Sequence, residues 1–168
     1  MEKVGIGVDV GGTSIKLGLF QPDGTILKKW EFPTDTSENG THVLPDIADS
    51  IRKTMEETFQ GKAELIGVGI GVPGPVQPTG YVEVGVNLHW REVYPARELS
   101  ELLGGVRVEV GNDANVAALG EAWRGGGEGA ANAVLLTLGT GVGGGVIMNG
   151  EIVTGKHGLA GEVGHIHV

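Results

Sequence analysis

Two segments of this chain interrupt an apolar run with a Gly/Thr turn and then resume as a second apolar run. The first is Val8-Asp9-Val10-Gly11-Gly12-Thr13-Ser14-Ile15-Lys16, and the second is Leu138-Gly139-Thr140-Gly141-Val142-Gly143-Gly144-Gly145. A strand-turn-strand loop of this kind exposes backbone N–H groups, and two of them can grip opposite sides of a polyphosphate. One such loop constrains little. Two in one chain, with Asn112-Asp113 between them, point to ATP-dependent phosphoryl transfer.

Glycine is correspondingly abundant, with 32 among 168 residues, against a usual share of about 7%. Tight packing between sheet and helix explains those inside strands, as in Gly67-Val68-Gly69-Ile70-Gly71. Those clustered at strand ends fit close approach of a ligand. The net charge of −9 argues against nucleic acid, which needs clustered Lys and Arg. No apolar run is long enough to cross a bilayer, and Met1-Glu2-Lys3 leads into a strand without a signal-peptide pattern. The absence of Cys excludes a disulfide framework and fits a cytoplasmic enzyme.

Val4–Val10, Ile15–Phe20 and Thr25–Phe32 read as an antiparallel meander, with Pro22-Asp23-Gly24 as a turn. Val43, Leu44, Ile47, Ile51, Met55 and Phe59 make one apolar helix face, which Gly61 is placed to end. Leu65–Val72 is a further strand, and Pro73-Gly74-Pro75-Val76-Gln77-Pro78 must be loop. Arg97–Leu103 reads as a short helix, Val106–Val110 as a strand, and Asn115–Trp123 as a helix opening just after Asn112-Asp113. Ala133–Leu138, a turn over Gly139–Gly145 and Val146–Met148 then partly repeat the beginning, which predicts two related α/β subdomains facing a cleft. The chain stops at Val168 inside an alternating stretch, without a closing helix, and reads as cut short.

Several patterns are set aside. Gly69-Ile70-Gly71-Val72-Pro73-Gly74 and Gly139-Thr140-Gly141-Val142-Gly143-Gly144 match the dinucleotide fingerprint, but neither can start a helix within the motif. No Walker-type phosphate loop is present. Asp9 is read either as an Asx turn over Gly11 and Gly12 or, preferably, as a carboxylate that orients Mg²⁺ through water. Thr13 and Lys16 are potential phosphate donors, though Lys16 is equally a surface residue. Asp113 is either a first-turn helix acid or the base that accepts a hydroxyl proton, kept ionised by the helix N-terminus. Glu162 and His165 suit sugar hydroxyls, whereas His167 reads as a half-buried strand histidine.

Asp9-Val10-Gly11-Gly12-Thr13, Gly74, Asn87-Leu88-His89-Trp90, Asn112-Asp113-Ala114-Asn115, Leu138-Gly139-Thr140-Gly141-Val142-Gly143-Gly144 and Glu162-Val163-Gly164-His165 together resemble the ROK family of bacterial sugar kinases and repressors, its glucokinases above all. The resemblance runs from residue 4 to residue 168. It implies an α/β fold of the actin-like, ribonuclease-H-like ATPase kind, with a first lobe over 1–112 and an incomplete second lobe over 113–168. It further implies Asp113 as the base, Gly74, Asn87, Asn112, Asp113, Glu162 and His165 around the sugar, and Asp9, Gly11, Gly12, Thr13, Lys16, Thr140 and Gly141 around the phosphates of ATP and its Mg²⁺. In the family the histidine matching His165 ligates a structural Zn²⁺ with three cysteines that this chain lacks. The expected activity is ATP:hexose 6-phosphotransfer in glycolysis, glucose first, by a homodimer or homotetramer. N-acetylmannosamine or fructose as the sugar, or a sugar-binding module without catalysis, are the alternatives. Repressors of the family carry a helix-turn-helix ahead of the first strand, which Val4 already occupies here.

Overall fold

The computed structural model describes residues 1–139 and 141–165, the last of these by its backbone alone. Strands β1 (Glu2–Val10), β2 (Ser14–Phe20) and β3 (Ile26–Pro33) pair antiparallel, as the sequence predicts. A single helical turn α1 (Ser37–Gly40) and helix α2 (Val43–Phe59) lead to β4 (Ala63–Val72), which pairs parallel to β1. The hairpin of β5 (Val82–Gly85) and β6 (Trp90–Val93) follows. Helix α3 (Pro95–Leu102) and β7 (Val108–Asn112) then complete a five-stranded sheet in the order β3-β2-β1-β4-β7. Beyond it lie α4 (Asp113–Arg124) and a second meander of β8 (Ala133–Leu138), β9 (Val142–Met148) and β10 (Glu151–Ile152). Its antiparallel pairing repeats that of β1-β2-β3, so the internal similarity in the sequence is a similarity of topology.

The two faces of the large sheet differ in what they carry. Val4, Ile6, Val8, Val10, Ile15, Leu17 and Leu19 are buried in a core that also takes Ile47 and Ile51 from α2 and Leu99 from α3. On the other face lie Gly5, Gly7 and Gly18, with Gly67, Gly69 and Gly71 of β4, so this side of the sheet is glycine-rich, and the Phe20 ring covers Gly7 and Gly18. Helix α4 lies on this side: Val116 meets the sheet at Gly71 and Gly111, and Trp123 and Arg124 reach the β2–β3 turn.

Beyond shifts of a residue or two at element ends, as at Ala63, Pro95 and Asp113, three differences from the sequence reading stand out. Strand β7 begins at Val108 and runs on through Gly111 and Asn112, because pairing with Gly71 and Val72 of β4 extends it past the last apolar residue. The β5–β6 hairpin was not foreseen, although Val82, Val84, Val86, Leu88 and Trp90 alternate with Glu83, Gly85, Asn87, His89 and Arg91; the alternation runs straight through the 3-10 turn that splits it into two strands, and His89 closes that turn with φ 57°. Strand β9 begins at Val142, so Gly143, Gly144 and Gly145 lie within it rather than in the second glycine turn. There Gly143 and Gly145 admit α4, and Gly144 faces Gly161: a methyl at Gly145 would stand 2.5 Å from Ala118 Cβ and 3.0 Å from the Ala114 carbonyl oxygen.

Candidate active site

The parallel strands β1, β4 and β7 end side by side, and each hands the chain to a loop or helix of interest: Gly11-Gly12-Thr13, Pro73-Gly74 and Asp113. Ligands of open α/β sheets bind outside such carboxyl ends.

Asn112 holds this corner together. Its residue is 8% exposed. Its Oδ1 accepts from the N–H groups of Ala114 (3.0 Å) and Asn115 (3.2 Å), which caps α4. Its Nδ2 donates to the Gly74 carbonyl at 3.0 Å, tying the proline-rich loop to the same point. Most of this amide is therefore committed to structure, leaving one Nδ2 hydrogen for a ligand.

Asp113 is the first residue of α4, and its carboxylate accepts the N–H of Ala114 at 2.8 Å. Desolvation by the surrounding walls pushes its pKa up, and the negative charge of Asp9 adds to the rise, while the Ala114 N–H acts the other way. The net direction is a correction: the helix end lowers the pKa as expected, but burial outweighs it.

Two clefts meet at this residue. One, of about 660 Å³, is walled by Asp9, Asn87, Asp113, Thr137, Gly139 and Gly141 among others. The second, of about 500 Å³, is walled by Gly74, Pro75, Asn112, Asp113, Gly143 and Glu162 among others. Asp113, Ala114 and Gly143 belong to both. Asn87, grouped with the sugar residues by the sequence reading, lines the cleft of Asp9, Asp113 and the second turn.

The first turn is fixed from three sides. The Gly11 N–H donates to the Ser14 carbonyl at 3.0 Å, closing the turn. That amide is therefore committed within the turn, and is free neither for the Asp9 carboxylate of an Asx turn nor for a phosphate. Asn87 packs on Gly12 so closely that a methyl there would stand 3.0 Å from the Asn87 carbonyl oxygen. Thr34, which the sequence reading passed over, donates its hydroxyl to the Gly11 carbonyl at 2.6 Å and its N–H to the Thr13 carbonyl at 2.9 Å. A Thr next to a strand end carries no distinctive signal. Thr34→Val should leave the Gly11 carbonyl without its side-chain partner and lower stability by about 1 kcal/mol, as read by urea unfolding.

Lys16 is paired with Asp9 in the β1–β2 register, so both stand on the same face of the sheet, and both are exposed. Gly11, Gly12, Thr13 and Lys16 are not among the residues that wall either cleft. In the second turn the Gly139 N–H donates to the Gly141 carbonyl at 2.9 Å. Thr140, the His165 side chain and His167 lie outside the described residues.

Among the described residues no helix is long and apolar enough to span a membrane, and no cluster of three His, Asp or Glu could hold a metal ion. With no Cys in the chain, the residues present do not make up the zinc set of three cysteines and His165.

A profile of the ROK family matches residues 5–168. The chain belongs to the ROK family. It is similar to the glucokinase of Halalkalibacterium halodurans, at 46% identity over 97% of this chain and 49% of that protein. The glucokinase of Thermotoga maritima is 42% identical over 97% of this chain and 50% of its own length. The crystal structure of a ROK glucokinase from Streptomyces griseus with glucose and AMPPNP superposes with a TM-score of 0.80 and 35% identity, covering 98% of this chain and 51% of the other. The ROK chain thus has the actin-like ATPase fold, and spans about half the length of the relatives it matches.

Proposed function

We propose that this ROK chain supplies the acceptor-activating half of an ATP-dependent hexose kinase, acting on the 6-hydroxyl of glucose. Two lobes, 1–112 and 113–168, would meet at Asn112-Asp113. The observation that carries this reading is that Asp113 walls both clefts, so a ligand in each would have this one residue between them. The hexose would occupy the cleft of Gly74, Asn112 and Glu162, and the polyphosphate the cleft of Asp9 and Gly141. The glucose and AMPPNP bound together by the Streptomyces griseus relative support two ligands of this chemistry.

In the reaction Asp113 accepts the proton of the 6-hydroxyl as that oxygen bonds to the γ-phosphorus. The bond from the γ-phosphorus to the β,γ-bridging oxygen breaks, ADP leaves, and the proton passes from Asp113 to water. A base with a raised pKa holds that proton more firmly than an ordinary aspartate does. Asp9 and Asp113 both face the polyphosphate cleft, and one or two carboxylates beside phosphates suit Mg²⁺. When bound, that ion would neutralise charge building on the phosphate oxygens. Asp9 would hold it there, and Gly12, Thr13, Thr140, Gly141 and Lys16 would donate to the phosphates.

The test is formation of hexose 6-phosphate from MgATP by this chain, alone and joined to the part of the Thermotoga maritima relative that it does not match. Glucose, fructose and N-acetylmannosamine are compared as acceptors. Glucose 6-phosphate from the joined protein is the expected result. Sugar binding without phosphoryl transfer would favour a binding module instead.

A further inference from the structure

Helix α4 is anchored at both ends to the same sheet. Its first turn grows from β7 through the Asn112 cap. Its last turn, about 16 Å away along the axis, meets the β2–β3 turn, which is 101 positions distant in sequence: Arg124 Nη2 donates to the Asp23 carbonyl at 2.7 Å. Beside it the Trp123 ring packs on Gly24, where a methyl would stand 2.9 Å from Cη2. Arg124 also lies 5.4 Å from the Trp123 ring centroid and 3.4 Å from the Glu128 carboxylate.

The receiving turn is closed by hydrogen bonds of its own. Gln21 N–H donates to the Thr25 carbonyl and Gly24 N–H to the Gln21 carbonyl, each at 2.9 Å. The Asp23 carboxylate accepts the Thr25 N–H at 2.9 Å, and its pKa is lowered chiefly by that bond, with the Arg124 charge a smaller cause. Gly24, at φ 90°, supplies both the backbone angle and the room for the indole. Between the two anchors α4 meets the large sheet through Val116 at Gly71 and Gly111, while Ala114 and Ala118 on its other side pack on Gly143 and Gly145 of β9; glycines on both sides leave few interlocking side chains to set its tilt.

We infer that Arg124 and Trp123, docked on Asp23-Gly24, are positioning residues that fix the tilt of α4 and so hold Asp113 where the two clefts meet. The importance of that placement rests on the role proposed for Asp113, but the mechanical link does not, and it is tested apart from catalysis. A contact of only local value would steady the last turn of α4 alone. A strut steadied at its far end transmits the effect to its first turn.

The experiment is amide hydrogen exchange on the 168-residue chain, read by NMR for α4. Arg124→Ala is expected to speed exchange at least threefold both in the last turn and at Ala114 and Asn115. Arg124→Lys, which keeps a donor for the Asp23 carbonyl, should stay within twofold of the parent. Gly24→Ala disturbs the same contact without touching α4 and should give the two-ended pattern. Acceleration confined to the last turn, or none in either Arg124→Ala or Gly24→Ala, would overturn the inference. Absence of hexose phosphorylation in the parent protein, with α4 exchange in the variants as expected, would instead count against the proposed function alone.

Discussion

Asp113→Asn is expected to cut phosphoryl transfer by about 10²–10⁴-fold, the usual contribution of a positioned general base, while sugar binding stays nearly unchanged. The amide is isosteric and can still accept the Ala114 N–H, so the cap of α4 by Asn112 survives. What it cannot do is take the 6-hydroxyl proton. Steady-state kinetics in the joined protein, beside calorimetric titration with the hexose, separates the two effects. Turnover within a few-fold of the parent would remove Asp113 from the role of base.

The same substitution makes an opposite prediction for stability. Burial and Asp9 raise the Asp113 pKa above 3.8, so the folded chain binds this proton more tightly than the unfolded chain does. The stability contributed by the protonated form is complete below the unfolded pKa and is lost as pH rises through the folded one. At neutral pH the ionised carboxylate is therefore a net cost, and Asp113→Asn should raise Tm by about 1–2 °C. At about pH 3.5 most of the gain should be gone, because the carboxyl is then mainly protonated in the unfolded state as well as in the folded one. Thermal melts of the two proteins at pH 7 and pH 3.5 read this directly.

Gly145→Ala carries the largest expected effect on folding. Its new methyl would meet Ala118 Cβ at 2.5 Å and the Ala114 carbonyl oxygen at 3.0 Å, both on the rigid backbone side of α4. No rotamer can relieve the clash, so α4 must move off β9 or the strand must bend. Overpacking of this kind costs about 1–3 kcal/mol. Because Ala114 adjoins Asp113, the displacement also disturbs the corner where the clefts join. Ala118→Gly in the same chain removes one side of the clash. It should recover part of the loss, less the roughly 1 kcal/mol that a mid-helix glycine costs, giving a coupling measurable by a double-mutant cycle.

The elements that position the site were legible where one physical rule dominated. The apolar spacing of α2, the alternation along β1 and β2, and the cap signal at Asn112 each match a short-range preference, and each appears within a residue or two of its expected place. Asp113 between the two turns was legible from its location after a strand. What escaped was set by partners elsewhere in the chain. The extension of β7 depends on pairing with β4, and the inclusion of Gly143–Gly145 in β9 depends on their pairing with Leu135, Leu136 and Thr137 of β8. Thr34 reaches the Gly11 carbonyl from 23 positions away, and Arg124 reaches Asp23 from 101. Neither leaves a local pattern to read. The raised pKa of Asp113 belongs to the same class, since a helix N-terminus is visible in the sequence and the walls of a cleft are not.

The most direct measurement is a crystal structure of this chain with glucose and a non-hydrolysable ATP analogue. The 6-hydroxyl should lie about 2.6–3.2 Å from an Asp113 carboxylate oxygen, with the sugar against Gly74 and Glu162 and the γ-phosphate on the side of Asp9 and Gly141. A sugar seated elsewhere, or an Asp113 carboxylate turned away from both ligands, would contradict the proposed chemistry.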